Sequence, residues 1–413
     1  MIQNKSCDIL IIGGGMVGLS LANQLIKRRL TDKIIVLDKE NKLGKHSSGR
    51  NSGVLHAGIY YKPGSLKAKV CVSGARRLKK WVKERNLPLN NCGKIIVPQK
   101  EILDSQIDEL AKRGSANGAD VEIWNEKQLR VCAPNVRSST GRALWSPNTS
   151  VVKPISIINT LSSELISKGV EIINLNRGQS WVLNASKKSI RIGKEKTIKY
   201  CFLINCAGLQ ADKIANLFGL GKNFKLVPFK GLYWQIKKHS KINIKNNIYP
   251  VPDLNVPFLG VHFTPSADKF PIVSIGPTAI PSLGRENYKG FESIEFINSV
   301  NNMFLLTKQY IQNQNGFRKY AHEQLLLSLF PFMLQSAKEL IPEITANDIE
   351  VSEKVGIRSQ LFNLEKQKLE DDFLYLENDE SLHIMNAISP AFTASFELAD
   401  LIINKSKYLS MRI

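Results

Sequence analysis

Four apolar residues, Ile9 to Ile12, run straight into Gly13, and apolar side chains then recur at helical intervals from Met16 to Arg29. The change from an unbroken apolar run to a 3.6-residue period predicts strand, tight turn and helix. A second run, Ile34 to Leu37, ends in Asp38 and predicts the next strand. Leu66 to Glu84 is helical in pattern, and Cys92 to Val97 and Val121 to Trp124 read as strands around a helix, Ile102 to Asn117. Pro134 to Pro147 reads as loop and short strand; a helix follows over Pro154 to Lys168, then strands over Val170 to Leu175 and Ser180 to Ile192. Tyr200 to Asn205 meets Cys206, Ala207 and Gly208 before a helix from Ala211 to Phe218, which makes a second strand-to-glycine-to-helix junction. Such junctions place loops at the carboxyl edge of a parallel sheet, where open α/β sheets bind ligands.

The later pattern differs. Phe229 to Ile236, Gly260 to Thr264 and Ile272 to Gly276 are strand-like and flanked by prolines, which points to a largely antiparallel second domain. Ile294 to Leu340 reads as helical and carries a dense apolar patch, Leu325 to Leu334, suited to core packing or to contact with a membrane or an electron acceptor. Val355 to Gln360, Phe373 to Leu376 and His383 to Met385 predict strands, and Ser389 to Asn404 a last helix.

At the first junction, Gly13, Gly15 and Gly18 stand in G-x-G-x-x-G spacing. The first glycine turns the chain, the second lets a pyrophosphate approach the backbone, and the third lets helix pack on strand. The helix N-terminus offers free amides to the phosphates. Asp38 can accept both ribose hydroxyls of an adenosine. These residues predict an adenine dinucleotide without choosing between FAD and NAD. The glycine- and serine-rich loop from Gly44 to Gly58 suggests backbone lying against something flat or charged.

A chain of 413 residues, 43% hydrophobic and 23% charged, can form two sizeable cores. No segment approaches the roughly 18 to 20 apolar residues of a membrane span. A first strand starting by about Cys7 leaves no room for a leader, which predicts a cytoplasmic protein, with peripheral contact at the inner membrane as the alternative. The six cysteines lack metal-ligand spacing and read as reduced thiols, with no metal expected. The net charge of +21 is spread along the chain without a basic block, so no nucleic-acid partner is expected.

Together Gly13 to Gly18 with Asp38, Ser48 to Tyr61, Asn205 to Asp212, Gly260 to Thr264, Gly356 to Gln360 and Asn386 to Ser395 resemble the FAD-dependent D-amino-acid-oxidase superfamily. Within it the chain is similar, over nearly its whole length, to the L-2-hydroxyglutarate dehydrogenases, also called oxidases. The stretch SGRNSGVLHAGIYY is the most specific part. The resemblance implies an α/β fold with a Rossmann-like, non-covalent FAD-binding domain of the GR2/DAO type and a second, α+β substrate domain on a mostly antiparallel sheet. The FAD domain is expected from residues 1–90, 149–225 and 349–413, and the substrate domain from 91–148 and 226–348. Three departures stand out: Asp38 where glutamate is commoner, Lys230 where arginine is usual, and Cys206 in place of alanine.

The implied reaction is oxidation of L-2-hydroxyglutarate to 2-oxoglutarate, with oxygen or a quinone as electron acceptor. Another small anion, such as glycerol 3-phosphate or an amino acid, is the runner-up; a flavin-binding protein with a regulatory or tRNA-modifying role is the rival class. Oxidising a 2-hydroxy acid needs a base for the hydroxyl proton, and histidine suits it. Of six histidines, His56 and His262 lie in the motif stretches, with His56 favoured because its loop is tied to the cofactor. Arg358 is expected to anchor the substrate carboxylate, and Lys230 and Arg50 to meet the distal one. Ser48, Asn51, Ser52, Ala207, Gly208, Ser389, Thr393 and Ser395 complete the expected cofactor contacts.

Overall fold

The computed structural model describes residues 3–176, 179–194, 196–252, 260–313 and 316–412. The chain forms two compact units, one from Met1–Arg50, Pro154–Val227 and Ser359–Ile413, the other from Asn51–Lys153 and Pro228–Arg358. The division expected from the resemblance has its first exchange at residue 90, whereas the compact units exchange after Arg50. The reason is local pairing. Val54–Leu55 and Leu89–Asn90 both pair antiparallel with Ser150–Val152, which ties residues 51–90 to the second unit. Asn117 adds to this by donating to the carbonyls of Gly58 and Tyr61, each at 2.9 Å.

In the first unit the strand Gln3–Ile12 is central. Its apolar run is buried on both faces, as a parallel strand covered by helices requires. It pairs in parallel with Ile34–Asp38 (Ile9 opposite Ile34) and with Lys196–Asn205 (Ile12 opposite Asn205). Glu171–Asn174 extends the sheet on one side and Ser381–Asn386 on the other. The segment 180–192 forms a hairpin, Trp181–Asn184 with Ser189–Ile192, whose turn is held by Asn184 Oδ1 accepting from Lys187 N at 3.0 Å. The helices Met16–Lys27 and Ala391–Lys405 pack together, and Arg28 links them by donating to Asp400 and Asn404 at 2.5 Å each.

The second unit is built on a mostly antiparallel sheet. Its strands run in the order Ile349–Asn363, Phe224–Ile236, Val273–Gly276, His262–Pro265, Asn247–Pro250, Lys94–Val97, Ala143–Ser146 and Glu122–Trp124. Lys94–Val97 and Asn247–Pro250 pair in parallel, an arrangement that alternation along either strand does not announce. One face of this sheet packs Ile95, Val97, Ile248, Phe263 and Ile275 against Met333, Ala337 and Leu340 of the helix Phe330–Leu340. The other face carries Ile96, Leu144 and Tyr249 into a separate cluster with Ile59, Ile107 and Leu110.

The stretch 294–340 divides into three helices, Phe296–Gln312, Phe317–Leu327 and Phe330–Leu340. The first ends at Asn313, held in the left-handed region at φ 48°, and the third carries Pro331 in its first turn. The patch 325–334 is divided in consequence. Met333 is buried and Leu327, Phe330 and Leu334 pack on the core, while Leu325, Leu326, Leu329 and Phe332 face outward.

Candidate active site

The two strand-to-glycine junctions meet at the carboxyl edge of the first unit's sheet, because Ile12 and Asn205 are register partners. Cys206 N donates to Ile12 O at 2.7 Å and Gly13 N to Leu37 O at 2.8 Å, so the turn is held from both sides. A Cβ on Gly13 would lie 2.4 Å from Cys206 O, and one on Gly18 only 2.1 Å from Gly13 O. Both positions therefore admit glycine alone. A Cβ on Gly13 would also lie 3.1 Å from Ala207 N, with Gly208 the next residue in the chain.

Asp38 closes the cradle. Its Oδ2 accepts from Gly14 N and its Oδ1 from Glu40 N, both at 2.9 Å, and burial raises its pKa against the pull of these amides. Each oxygen retains a lone pair, so the carboxylate still fits a pair of ribose hydroxyls. Ser48 Oγ accepts from Met16 N at 3.0 Å, which sets this predicted contact against the start of the motif helix. Thr393 and Ser395 are buried in the helix Ala391–Lys405, which follows Ser389 after Pro390. Arg50 donates from Nε to Lys45 O at 2.6 Å in the same unit.

In the second unit, strand register assembles a second constellation. Ile248 opposes Phe263 and Ile96 opposes Tyr249, so Lys94, Tyr249 and His262 share one face. The Tyr249 and His262 rings stack with centroids 3.9 Å apart, and the Lys94 ammonium lies 4.2 Å from the Tyr249 centroid and 5.0 Å from that of Tyr60. On the other side His262 opposes Gly276, and the pairing of Trp234 with Ile275 carries the row on to Tyr233. Lys354 Nζ lies 5.0 Å from the Tyr233 centroid.

His56 and His262 belong to this row electrostatically. Burial, then the charge of Lys94 and then His262, hold His56 well below the usual histidine range. His262 is pushed down to about 3 by burial, opposed by its bond to Gly260 and assisted by Lys94, Arg358 and Lys354. Its Nδ1 lies 2.7 Å from Gly260 O. A neutral ring must donate from Nδ1 to that carbonyl, which puts the lone pair on Nε2.

Arg358 lies within the electrostatic reach of His262, and its Nη1 donates to Thr278 O at 3.4 Å. Lys230 is directed elsewhere: its ammonium donates to Asn287 Oδ1 at 2.5 Å. Asn51 and Ser52 turn onto their own loop, accepting from Gly53 N at 2.8 Å and Val54 N at 3.4 Å. Lys94, Lys354, Tyr60 and Tyr249 were not singled out by sequence. For Lys94 a signal exists, since a lysine heading the apolar run Ile95 to Val97 has no ordinary place in a buried strand.

A family model described as FAD dependent oxidoreductase (DAO) matches residues 8–404. The L-2-hydroxyglutarate dehydrogenase of Escherichia coli (strain K12) is 32% identical over 409 residues, spanning 97% of this chain and 93% of its own length. The mitochondrial L-2-hydroxyglutarate dehydrogenase of Bos taurus is 33% identical over 421 residues, spanning 98% and 89%. Among solved structures, the L-alpha-glycerophosphate oxidase of Mycoplasma pneumoniae with FAD bound aligns at a TM-score of 0.72 with 19% identity, covering 97% of this chain and 94% of that one. Glycine oxidase from Geobacillus kaustophilus aligns at 0.69 with 15% identity, covering 97% and 94%. The structural likenesses speak for the fold; the sequence matches, nearly end to end, go further. The chain belongs to the L-2-hydroxyglutarate dehydrogenase family of the FAD-dependent oxidoreductases.

Proposed function

We propose that this enzyme oxidises L-2-hydroxyglutarate to 2-oxoglutarate. The observation that carries the reading is the sheet face of the second unit, where two neutral histidines and Arg358 share one electrostatic neighbourhood. The first unit's glycine turn and Asp38 hold the adenosine and pyrophosphate end of the cofactor. Bound FAD supplies the two-electron acceptor for the C2–H bond of the hydroxy acid.

The protein's own part is proton transfer and orientation. As C2 loses its hydrogen with the bonding pair, the hydroxyl proton passes to a histidine nitrogen and the C–O bond becomes the ketone. His262 is suited to receive it because Gly260 fixes the tautomer with Nε2 as acceptor. His56, neutral beside it, is the second candidate. Arg358 grips the C1 carboxylate by charge-assisted hydrogen bonds and so fixes C2. Anaerobic titration of the yellow holoenzyme with each enantiomer of 2-hydroxyglutarate tests the assignment. The L form is expected to bleach the flavin; bleaching by neither sinks it. Arg358→Ala is expected to raise the KM by roughly 10- to 100-fold, a lost charged hydrogen bond of about 1.5–3 kcal/mol.

The acceptor side reads from the helix Phe296–Gln312, whose polarity is inverted. It buries Ser299, Asn302 and Gln309 beside a single leucine, Leu306, while Phe296, Ile297, Val300, Phe304 and Ile311 stand exposed, with Lys308 and Lys319 nearby in sequence. An apolar stripe flanked by lysines suits the surface of an anionic membrane, where a quinone acceptor resides. Co-sedimentation with anionic vesicles, lost in a Phe296→Ser/Phe304→Ser variant, is the expected result; equal partition of both proteins rejects it.

A further inference from the structure

We propose that Lys94 is a substrate-binding residue that receives the distal carboxylate and makes the site selective for a diacid. The inference deepens the reading above and rests on it.

The row of side chains across the second unit's sheet has a cation at each end and a histidine between. Lys94 sits over Tyr249, Tyr249 stacks on His262, and beyond Gly276 the row continues through Tyr233 to Lys354. Arg358 joins that second end, acting on both His262 and Tyr233. A 2-hydroxy diacid has the matching charge pattern, with a carboxylate beside the reacting carbon and another at its far end. With Arg358 on the C1 carboxylate and His262 on the C2 hydroxyl, Lys94 is the cation left for the far end.

Lys94 is only 1% exposed, and among the described residues no carboxylate forms an ion pair with it. Burial pushes its ammonium down to about 7, and the groups that oppose this are the thiols of Cys71 and Cys92. Burial in turn raises those thiols to about 12 and about 11, so neither supplies a negative charge at neutral pH. Contact with two aromatic faces gives back less than such desolvation costs. A second group nearby is also unsatisfied: the Tyr60 hydroxyl is buried without a hydrogen-bond partner among the described residues. A buried ammonium that no carboxylate pairs with and a phenol without a hydrogen-bond partner, both among the described residues, describe a carboxylate site whose anion arrives with the ligand.

The test compares L-2-hydroxyglutarate with L-2-hydroxypentanoate, which has the same carbon chain without the distal carboxylate, as anaerobic reductants of the holoenzyme. The wild type is expected to favour the diacid by about 100-fold in apparent affinity. Lys94→Met is expected to weaken the diacid by about 100-fold and the monoacid less than threefold, so that the preference collapses. Lys94→Met that discriminates as the wild type does overturns the inference. If that variant loses its flavin, Lys94→Gln is held to the same criterion. The wild type gives an independent readout: glutarate should perturb the flavin spectrum at roughly 100-fold lower concentration than pentanoate, and equal affinity overturns the inference whatever the variants do. Failure of the reaction assignment looks different, because the wild type is then bleached by neither hydroxy acid while the glutarate comparison still reads the Lys94 site.

Discussion

His383 and His262 are both buried strand histidines, and the contrast between them separates the two units. In the first unit, Asn205 Nδ2 donates to His383 Nδ1 at 3.0 Å, which leaves His383 Nε2 to donate to Ser381 Oγ at 2.8 Å. Both nitrogens are engaged by neighbours in its own sheet, and Asn205 goes on to donate to Ala211 O at 2.8 Å. The network pins the end of the strand Lys196–Asn205 where the Cys206 to Gly208 turn begins. In the second unit, His262 commits Nδ1 to Gly260 and stands in a row of cations. Burial alone does not mark a reactive histidine. What marks it is a nitrogen left for chemistry and neighbouring charge that only a ligand can balance.

The largest effect should come from the first unit's backbone, where no side chain fits. Gly18→Val places its Cβ 2.1 Å from the Gly13 carbonyl oxygen and must open the turn. The expected product is a colourless protein with no measurable turnover. A yellow, active Gly18→Val enzyme would show that the cradle does not set cofactor binding.

Next come the two histidines of the second unit. His262→Ala is expected to retain its flavin and to slow anaerobic flavin reduction by roughly 10²- to 10⁴-fold, the range of a lost general base. His56→Ala, measured beside it, divides the work: the larger loss identifies the proton acceptor. Normal reduction rates in both variants would erase the contrast between the two units.

His383 supplies the converse. His383→Ala should leave the rate of flavin reduction within about threefold while costing about 1–3 kcal/mol of stability through the bonds left unmade. Acid should act in the same direction. Burial pushes His383 down to about 4, so between the ordinary histidine value of about 6.5 and 4 the unfolded chain binds the proton and the folded chain does not. Stability from this group is therefore complete above about pH 6.5 and falls toward pH 4, by at most about 1.4 kcal/mol per unit. Urea unfolding of wild type and His383→Ala at pH 7 and pH 5 checks it. An equal loss in both proteins removes His383 as the source.

These expectations show how unevenly the molecule was legible. The glycine turn and Asp38 could be read because each requirement is met by neighbours in sequence. The row in the second unit could not be read, because Lys94, Tyr249 and His262 meet only through long-range pairing. The strand that joins them, Asn247–Pro250, is only four residues long, ends in proline and continues an Ile242/Ile244 alternation broken by Asn246, so nothing local marks it as a separate strand. The motifs singled out His56, His262 and Arg358; Lys94 and Lys354, toward the two ends of the row, they did not. The division of 294–340 into three helices had a local signal that the reading of one helical stretch passed over, the polar run Gln312 to Gly316 at the first turn and Pro331 at the second.

Lys230 gives the smallest effect and the sharpest test of where the distal carboxylate goes. By sequence it was a candidate for that anion, but its ammonium donates to Asn287, and Asn287 donates in turn to the carbonyls of Gly290 at 2.8 Å and Glu292 at 2.7 Å. Lys230 thus completes a buried loop anchor. Lys230→Met keeps the aliphatic stem and removes one donor, so it should cost about 1 kcal/mol of stability and move the KM for the diacid by less than about threefold. A rise of tenfold or more, confined to the diacid and absent from Lys94→Met, would transfer the distal carboxylate to Lys230. The cationic row would then be a structural feature of the sheet, and the difference between His262 and His383 would have to rest on hydrogen bonding alone.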